Sequence, residues 1–266
     1  MISRQVEATA ASVSAGLAAL GPFFGAEFHD GSALPEASWR SMGELLENPE
    51  VLNQRVAFVR GSLAERAGLA VDAIEPRVAA SVAHLGLLAR LTAPLFALAL
   101  VHRRAMAIGL RDLRWRPLEG TAFDVSIPVD LLAASDVPAT TMLDGDAVTE
   151  VGEAFSRFGI SRQILSGNAA SALAGAATAL SLTRTDLAES ARAMLAGLLT
   201  HPTLRDAARL EPSGTLRRRS CCLIYRAAPG ANGALCGDCV LVPRRDQRLA
   251  ELLGPQSPAA IRLTKP

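Results

Sequence analysis

All four cysteines of the chain, Cys221, Cys222, Cys236 and Cys239, fall within residues 221–239, and residues 1–220 contain none. No disulfide can therefore staple the body of the protein, which must fold on a hydrophobic core. With 266 residues, 50% of them apolar, the chain has enough material for that core. Disulfide-held secreted proteins spread their bridges along the chain, so this clustering points to a metal or iron–sulfur site in a reducing compartment. Free cysteines packed as small hydrophobes would be scattered rather than gathered in one segment.

The spacing narrows the chemistry. Cys236-Gly237-Asp238-Cys239 is a C-x-x-C pair, in which two thiolates can face one centre while Gly237 takes up the dihedrals of the turn. Cys221 and Cys222 are adjacent, and neighbouring side chains on extended backbone point in opposite directions, so both reach one centre only if the backbone bends. The loop 223–235 carries Pro229, Gly230, Asn232 and Gly233, residues that return a chain on itself. Four thiolates suit tetrahedral zinc or an iron–sulfur cluster. A zinc ribbon uses two C-x2-4-C knuckles, and an adjacent pair is not one, so the spacing favours [2Fe–2S] over zinc, a [4Fe–4S] centre or a redox dithiol.

Charge adds local information only. Lys plus Arg number 27 against 26 Asp plus Glu, a formal charge of +1, which excludes a whole-chain electrostatic case for binding nucleic acid. Around the cysteines, however, Arg217, Arg218, Arg219, Arg226, Arg244, Arg245 and Arg248 face only Glu211, Asp238 and Asp246. Such cations would stabilise a reduced cluster or form a docking patch for an acidic electron donor. Arg219, Tyr225, Arg226 and Gly237 are the nearby candidates for supporting the site.

Aromatic residues make up 4% of the chain, and Gly and Ala are abundant, which favours helices packed through small residues. Helical patterns are expected over residues 3–20, 42–47, 50–67 with a break at Gly61, 72–90, 91–109 interrupted at Pro94, 148–158, 161–182, 186–199 with Thr185 as N-cap, and 244–253. The two patterns meeting near Pro94 predict an αα-hairpin across which His84 and His102 would converge. Residues 203–210 would add a further helical turn. Between Leu113 and Ile127 the apolar residues alternate, which predicts a short β-hairpin whose strands are limited by Pro117 and Pro128. Ala169, Ala172, Ala176 and Ala179 would allow close helix packing. The expected architecture is mainly α (α+β): a helical body over 1–210 with a small β element near 113–128, a cysteine-bearing segment over 211–253, and a flexible tail over 254–266.

Two stretches, 91–101 and 163–183, resemble membrane spans, but the first is short and the second carries Gln163, Asn168 and several hydroxyls, so buried helices are expected. Near the N-terminus, the uncharged run Thr9–Ala26 follows Glu7, and its period at Val13, Leu17 and Leu20 suits an ordinary helix better than a signal peptide. His29, His84, His102 and His201 show no metal-binding spacing.

The segment RRRSCCLIYR followed by C-G-D-C resembles the ferric siderophore reductases of the FhuF type, in which two adjacent cysteines and a C-x-x-C pair hold an unusual [2Fe–2S] cluster. Upstream, SGNAASALAGA, with Gly167, Asn168 and Ala169 as G-N-A, is similar to a segment of that family. The resemblance covers the C-terminal part of the chain and departs from the family in the length of the loop 223–235, which is longer than usual. It implies that Cys221, Cys222, Cys236 and Cys239 are the ligands and that Asn168 supports them. It further implies a cytoplasmic enzyme, peripheral at most to the inner membrane, reducing ferric iron in a hydroxamate-type siderophore with electrons from a donor protein or a reduced flavin or nicotinamide system. The alternatives are a zinc-stabilised interaction module and an iron–sulfur electron carrier without a siderophore substrate.

Overall fold

The computed structural model describes residues 4–120, 122–133 and 137–242. The expected helix 244–253, the tail 254–266, and Arg244, Arg245 and Arg248 lie outside the described residues.

The body is mainly helical, with two small sheets. Helix α1 (Arg4–Ala19) ends before Gly21-Pro22 and leads into two short strands, β1 (Glu27–His29) and β2 (Arg40–Ser41). Helices α2 (Glu44–Glu47) and α3 (Pro49–Ala67) follow. The Asn48 side chain caps α3 by accepting the Glu50 amide at 3.1 Å, Pro49 sits in the first turn where no N–H is needed, and Gly68 closes the helix at φ 63°. The expected break at Gly61 does not occur. A mid-helix glycine costs only about 1 kcal/mol, less than the burial of Val56 and Ala64 on either side returns.

Pro94 likewise fails to interrupt its helix: α4 runs unbroken from Pro76 to Val101. A proline inside a helix costs about 3 kcal/mol. Leu91, Leu95, Phe96 and Leu98 are all buried, each stabilising the fold by about 1.5–3 kcal/mol, and together they outweigh it. The expected αα-hairpin is therefore absent. His84 lies within this helix and His102 follows at its C-cap, roughly 27 Å away at 1.5 Å per residue, so the two cannot converge.

The expected β-hairpin is present as β3 (Arg114–Pro117) and β4 (Phe123–Pro128), paired antiparallel with Trp115 opposite Val125 and with Pro117 and Pro128 at the strand ends. It belongs to a larger mixed sheet of order β1-β4-β3-β2, in which β1 runs parallel to β4. After two short 3-10 turns, Val129–Leu132 and Ala139–Leu143, come α5 (Ala147–Ser156) and α6 (Arg162–Thr183). Helix α6 lies along α4, with Ala169, Ala172 and Ala176 buried at the contact and Ala179 half-buried at its margin. Thr185 opens a 3-10 turn, Thr185–Leu187, instead of capping α7 (Ala188–Leu198), whose N-cap Leu187 has no side-chain bond to offer. In place of a helical turn near 203–210, the chain forms turns and then β5 (Ala208–Leu210), which pairs with β6 (Leu216–Arg218) in a two-stranded sheet. By length and composition α4 could cross a membrane, and its most apolar window is 61% buried against the rest of the protein.

Candidate metal centre

The cysteine segment leaves β6 and folds against α6. Along Leu216, Arg218, Ser220 and Cys222 every second residue is buried, so the inward face of β6 continues past the strand's end to the first cysteine pair. The Ser220 hydroxyl donates to the Gln163 carbonyl at 2.7 Å, the Arg218 guanidinium donates through Nη2 to the Ile164 carbonyl at 3.3 Å, and both groups pass over Gly167. The Arg218 amide donates to the Asp238 carbonyl at 3.0 Å, tying the strand to the C-x-x-C turn.

The bend that an adjacent pair requires is made by Leu223, which takes a left-handed conformation at φ 70°. Its amide donates to Cys221 Sγ at 3.3 Å, and the Leu241 amide donates in the same way to Cys239 Sγ at 3.4 Å. A short turn over Ile224–Ala227 and a second over Pro229–Ala231 carry the chain away, and the Gly233 amide closes the loop on the Tyr225 carbonyl at 2.9 Å. A side chain on Gly233 would meet that carbonyl at 2.7 Å, so the close approach requires glycine. Gly237 has open space around it and no left-handed backbone, so the conformational demand expected there falls on Leu223 instead.

Two of the thiols meet across the motifs: Cys222 Sγ and Cys236 Sγ are 3.5 Å apart. All four are free cysteines; Cys222 and Cys239 are buried, Cys221 and Cys236 half-buried. The thiol of Cys236 stabilises Cys222 as the thiolate, with help from the Ile224 amide and the Arg218 charge, and pushes the Cys222 pKa down. The same interaction, together with burial and Asp238, pushes Cys236 up and keeps it protonated. Burial is the main cause that raises Cys221. Among the described residues no group of three or more His, Cys, Asp or Glu side chains is arranged to hold a metal ion.

The candidate supporting residues occupy distinct places. Arg219 turns outward to pair with Asp206 at 2.9 Å, and Arg226 reaches Glu75 at the start of α4. Tyr225 contributes the carbonyl already described. Asn168 is fully buried on α6 and faces α4, donating to the Ser81 carbonyl at 3.0 Å and to His84 Nδ1 at 3.2 Å, so it joins two helices of the body and does not reach the cysteine lobe.

Three contributors were named from the sequence only within the G-N-A phrase or the local charge field, without a place at the site. Asp238 accepts a hydrogen bond from the Ser171 hydroxyl, which anchors the C-x-x-C turn to α6. Gly167 provides the clearance over α6, and Arg218 fills it. The signal for Arg218 was present in the alternation from Leu216, which places it on the buried face, although a run of three arginines reads more naturally as a solvated surface. A cavity of about 590 Å³ lies elsewhere, between α3, α4 and β4; Arg55, Arg90 and Phe123 are among its lining residues, and none comes from the cysteine lobe.

The fold thus defines a helical protein with a cysteine-bearing lobe docked on its central helix pair. Residues 218–241 match the family model described as the FhuF 2Fe-2S C-terminal domain, so this segment of the chain is similar to that domain. No curated protein matches the chain.

Proposed function

We propose that Cys221, Cys222, Cys236 and Cys239 hold a [2Fe–2S] cluster and that the protein is a ferric siderophore reductase, passing one electron to ferric iron in a hydroxamate-type complex and releasing ferrous iron. What supports this reading is the approach of Cys222 to Cys236, one thiol from each motif, within the segment that matches the iron–sulfur family model, with all four cysteines free. A zinc ribbon uses two C-x2-4-C knuckles, and the adjacent pair Cys221-Cys222 is not one, so the spacing favours the cluster over a zinc-stabilised module.

Bound there, the cluster would supply a store for one electron at a time. The residues of the chain supply its setting. The amides of Leu223 and Leu241 donate to the sulfurs of Cys221 and Cys239 and hold both in place. Cys222 and Cys239 are shielded from water, while half-buried Cys221 and Cys236 give the thiol set an accessible side for a donor and for a bulky iron chelate. The electron comes from a donor protein or from a reduced flavin or nicotinamide system. Hard hydroxamate oxygens hold ferric iron far better than ferrous iron, so its transfer loosens the complex. Free thiols fit the reducing cytoplasm in which the reaction is placed.

Anaerobic purification followed by iron and sulfide assay tests the cofactor: about two of each per chain are expected, and one zinc without visible absorption would end the proposal. Mixing the reduced protein with a ferric hydroxamate and a ferrous trap tests the reaction. Reoxidation with iron capture is expected, and a reduced protein that leaves the chelate intact would make it an electron carrier.

A further inference from the structure

Among the described residues Arg218 is the largest fully buried side chain, at 1% exposure. Its Nη2 donates to the Ile164 carbonyl, while Nε and Nη1 have no hydrogen-bond partner among the described residues. The neighbouring arginines are differently placed. Arg219 pairs with Asp206, Arg226 pairs with Glu75, and Arg217 donates to the carbonyls of Val240 and Val242. An isolated buried cation costs several kcal/mol, so a fold that keeps one must compensate its charge from nearby. The cysteines supply that counter-charge. Arg218 shares the buried face that continues from β6 to Cys222, and its backbone amide donates to the Asp238 carbonyl inside the C-x-x-C turn. On α6, Gly167 leaves the space that the guanidinium occupies, because a Cβ there would lie 2.9 Å from Nη2.

We infer that Arg218 is the internal counter-cation of the cysteine centre and that it sets the reduction potential by stabilising the more negative, reduced state. The inference rests on the [2Fe–2S] reading. It assigns one residue, by its burial, to a role that the sequence spread over a whole field of arginines. Four thiolates and two sulfides outweigh the charge of two ferric ions, and reduction adds one further negative charge. A cation held away from water acts on that added charge with little screening, whereas the exposed arginines act through solvent. Arg218 is thus a positioning residue for charge, without contact to substrate.

The test uses the full chain carrying its cluster, with midpoint potentials from redox titrations followed by electron paramagnetic resonance. Iron and sulfide are measured first; a wild-type protein with neither would sink the [2Fe–2S] reading itself, a failure distinct from the one tested here. In the loaded protein, Arg218→Met should lower the equilibrium constant for reduction at least tenfold, ~59 mV for one electron. Arg218→Lys should keep most of the wild-type value, and Arg219→Met should change it less than twofold. An unchanged potential in Arg218→Met, or an equal shift in Arg219→Met, overturns the inference. If Arg218→Met cannot retain iron, Arg218→Lys decides: a loaded cluster near the wild-type potential supports the charge role, while loss of iron or a tenfold shift in the lysine variant would show that the shape of the guanidinium matters and its charge does not.

Discussion

Gly167 and Arg218 are in direct steric register: a Cβ placed on Gly167 would stand 2.9 Å from Nη2 of Arg218 and 2.5 Å from Oγ of Ser220. The two partners reach α6 from the strand that leads into Cys221, so one methyl group on the helix acts on the position of the cysteine pair. Gly167→Ala should therefore cost about 1–3 kcal/mol, as overpacking of a dense interior does, despite the better helix propensity of alanine. The check is a denaturant titration combined with an iron assay. A stabilised variant with full iron content would show that the lobe does not depend on this contact.

The same contact shows what a sequence can and cannot disclose. The G-N-A phrase was recognisable at 166–176, but the two sides of α6 separate its parts: Gly167 serves the cysteine lobe and Asn168 bonds Ser81 and His84 on α4. Alternation between Leu113 and Ile127 exposed the β3–β4 hairpin, since four to six residues suffice to show a period of two. Strands as short as Glu27–His29 and Arg40–Ser41 contain too few residues to show any period and are fixed by pairing with distant strands. Pro94 misled because its local cost is visible in the sequence while the burial that outweighs it depends on packing. The clustering of the cysteines was legible from the sequence, yet the bend at the adjacent pair is made by a left-handed Leu223, and no composition rule would choose leucine for that conformation.

Leu223 is the hinge of the adjacent cysteines. Holding a leucine in the left-handed region costs roughly 1–2 kcal/mol, and a β-branched residue is still less compatible with it. Leu223→Val should consequently displace Cys221 and Cys222 and lower iron per chain, while Leu223→Met, equally apolar and unbranched at Cβ, should stay near wild type. Iron and sulfide assays on the two proteins, purified side by side, provide the comparison. Equal cluster content in both would remove the bend from the assembly of the site.

Asp238 lies between the cysteines of the C-x-x-C pair and disfavours the Cys236 thiolate, although the Cys222 interaction and burial are larger influences. In protein freed of metal, Asp238→Asn should let Cys236 ionise at lower pH and raise its alkylation rate at pH 7 severalfold. Because Cys222 remains the dominant influence, the change should be smaller than that produced by Cys222→Ala, which also abolishes cluster retention if both adjacent cysteines ligate. Peptide mapping after timed iodoacetamide labelling separates the contributions of the two residues. A slower reaction in the asparagine variant would reverse the assigned sign.

His84 provides a pH signature of the packing between α4 and α6. Burial, with the Arg218 charge as a smaller contribution, lowers its pKa from 6.5 to about 3. Its ring stacks edge-on against Phe155 at 5.2 Å, and Nδ1 accepts from Asn168, which places the ring proton on Nε2. At pH 7 the imidazole is mostly neutral in the folded and unfolded chains alike, and its contribution to stability is fully present. Below pH 6.5 the unfolded chain takes up a proton that the folded chain refuses, so stability falls by about 1.4 kcal/mol per pH unit until the folded pKa is reached. His84→Gln cannot take up that proton. Carboxylates titrating in the same range are common to both proteins, so the difference between their slopes isolates the histidine. Urea denaturation from pH 7 to pH 5 should show a shallower loss of stability in the glutamine variant, whatever its absolute stability. Parallel slopes would mean that His84 is protonated within the fold and that burial does not exclude a charged imidazole from its place beside Asn168 and Phe155.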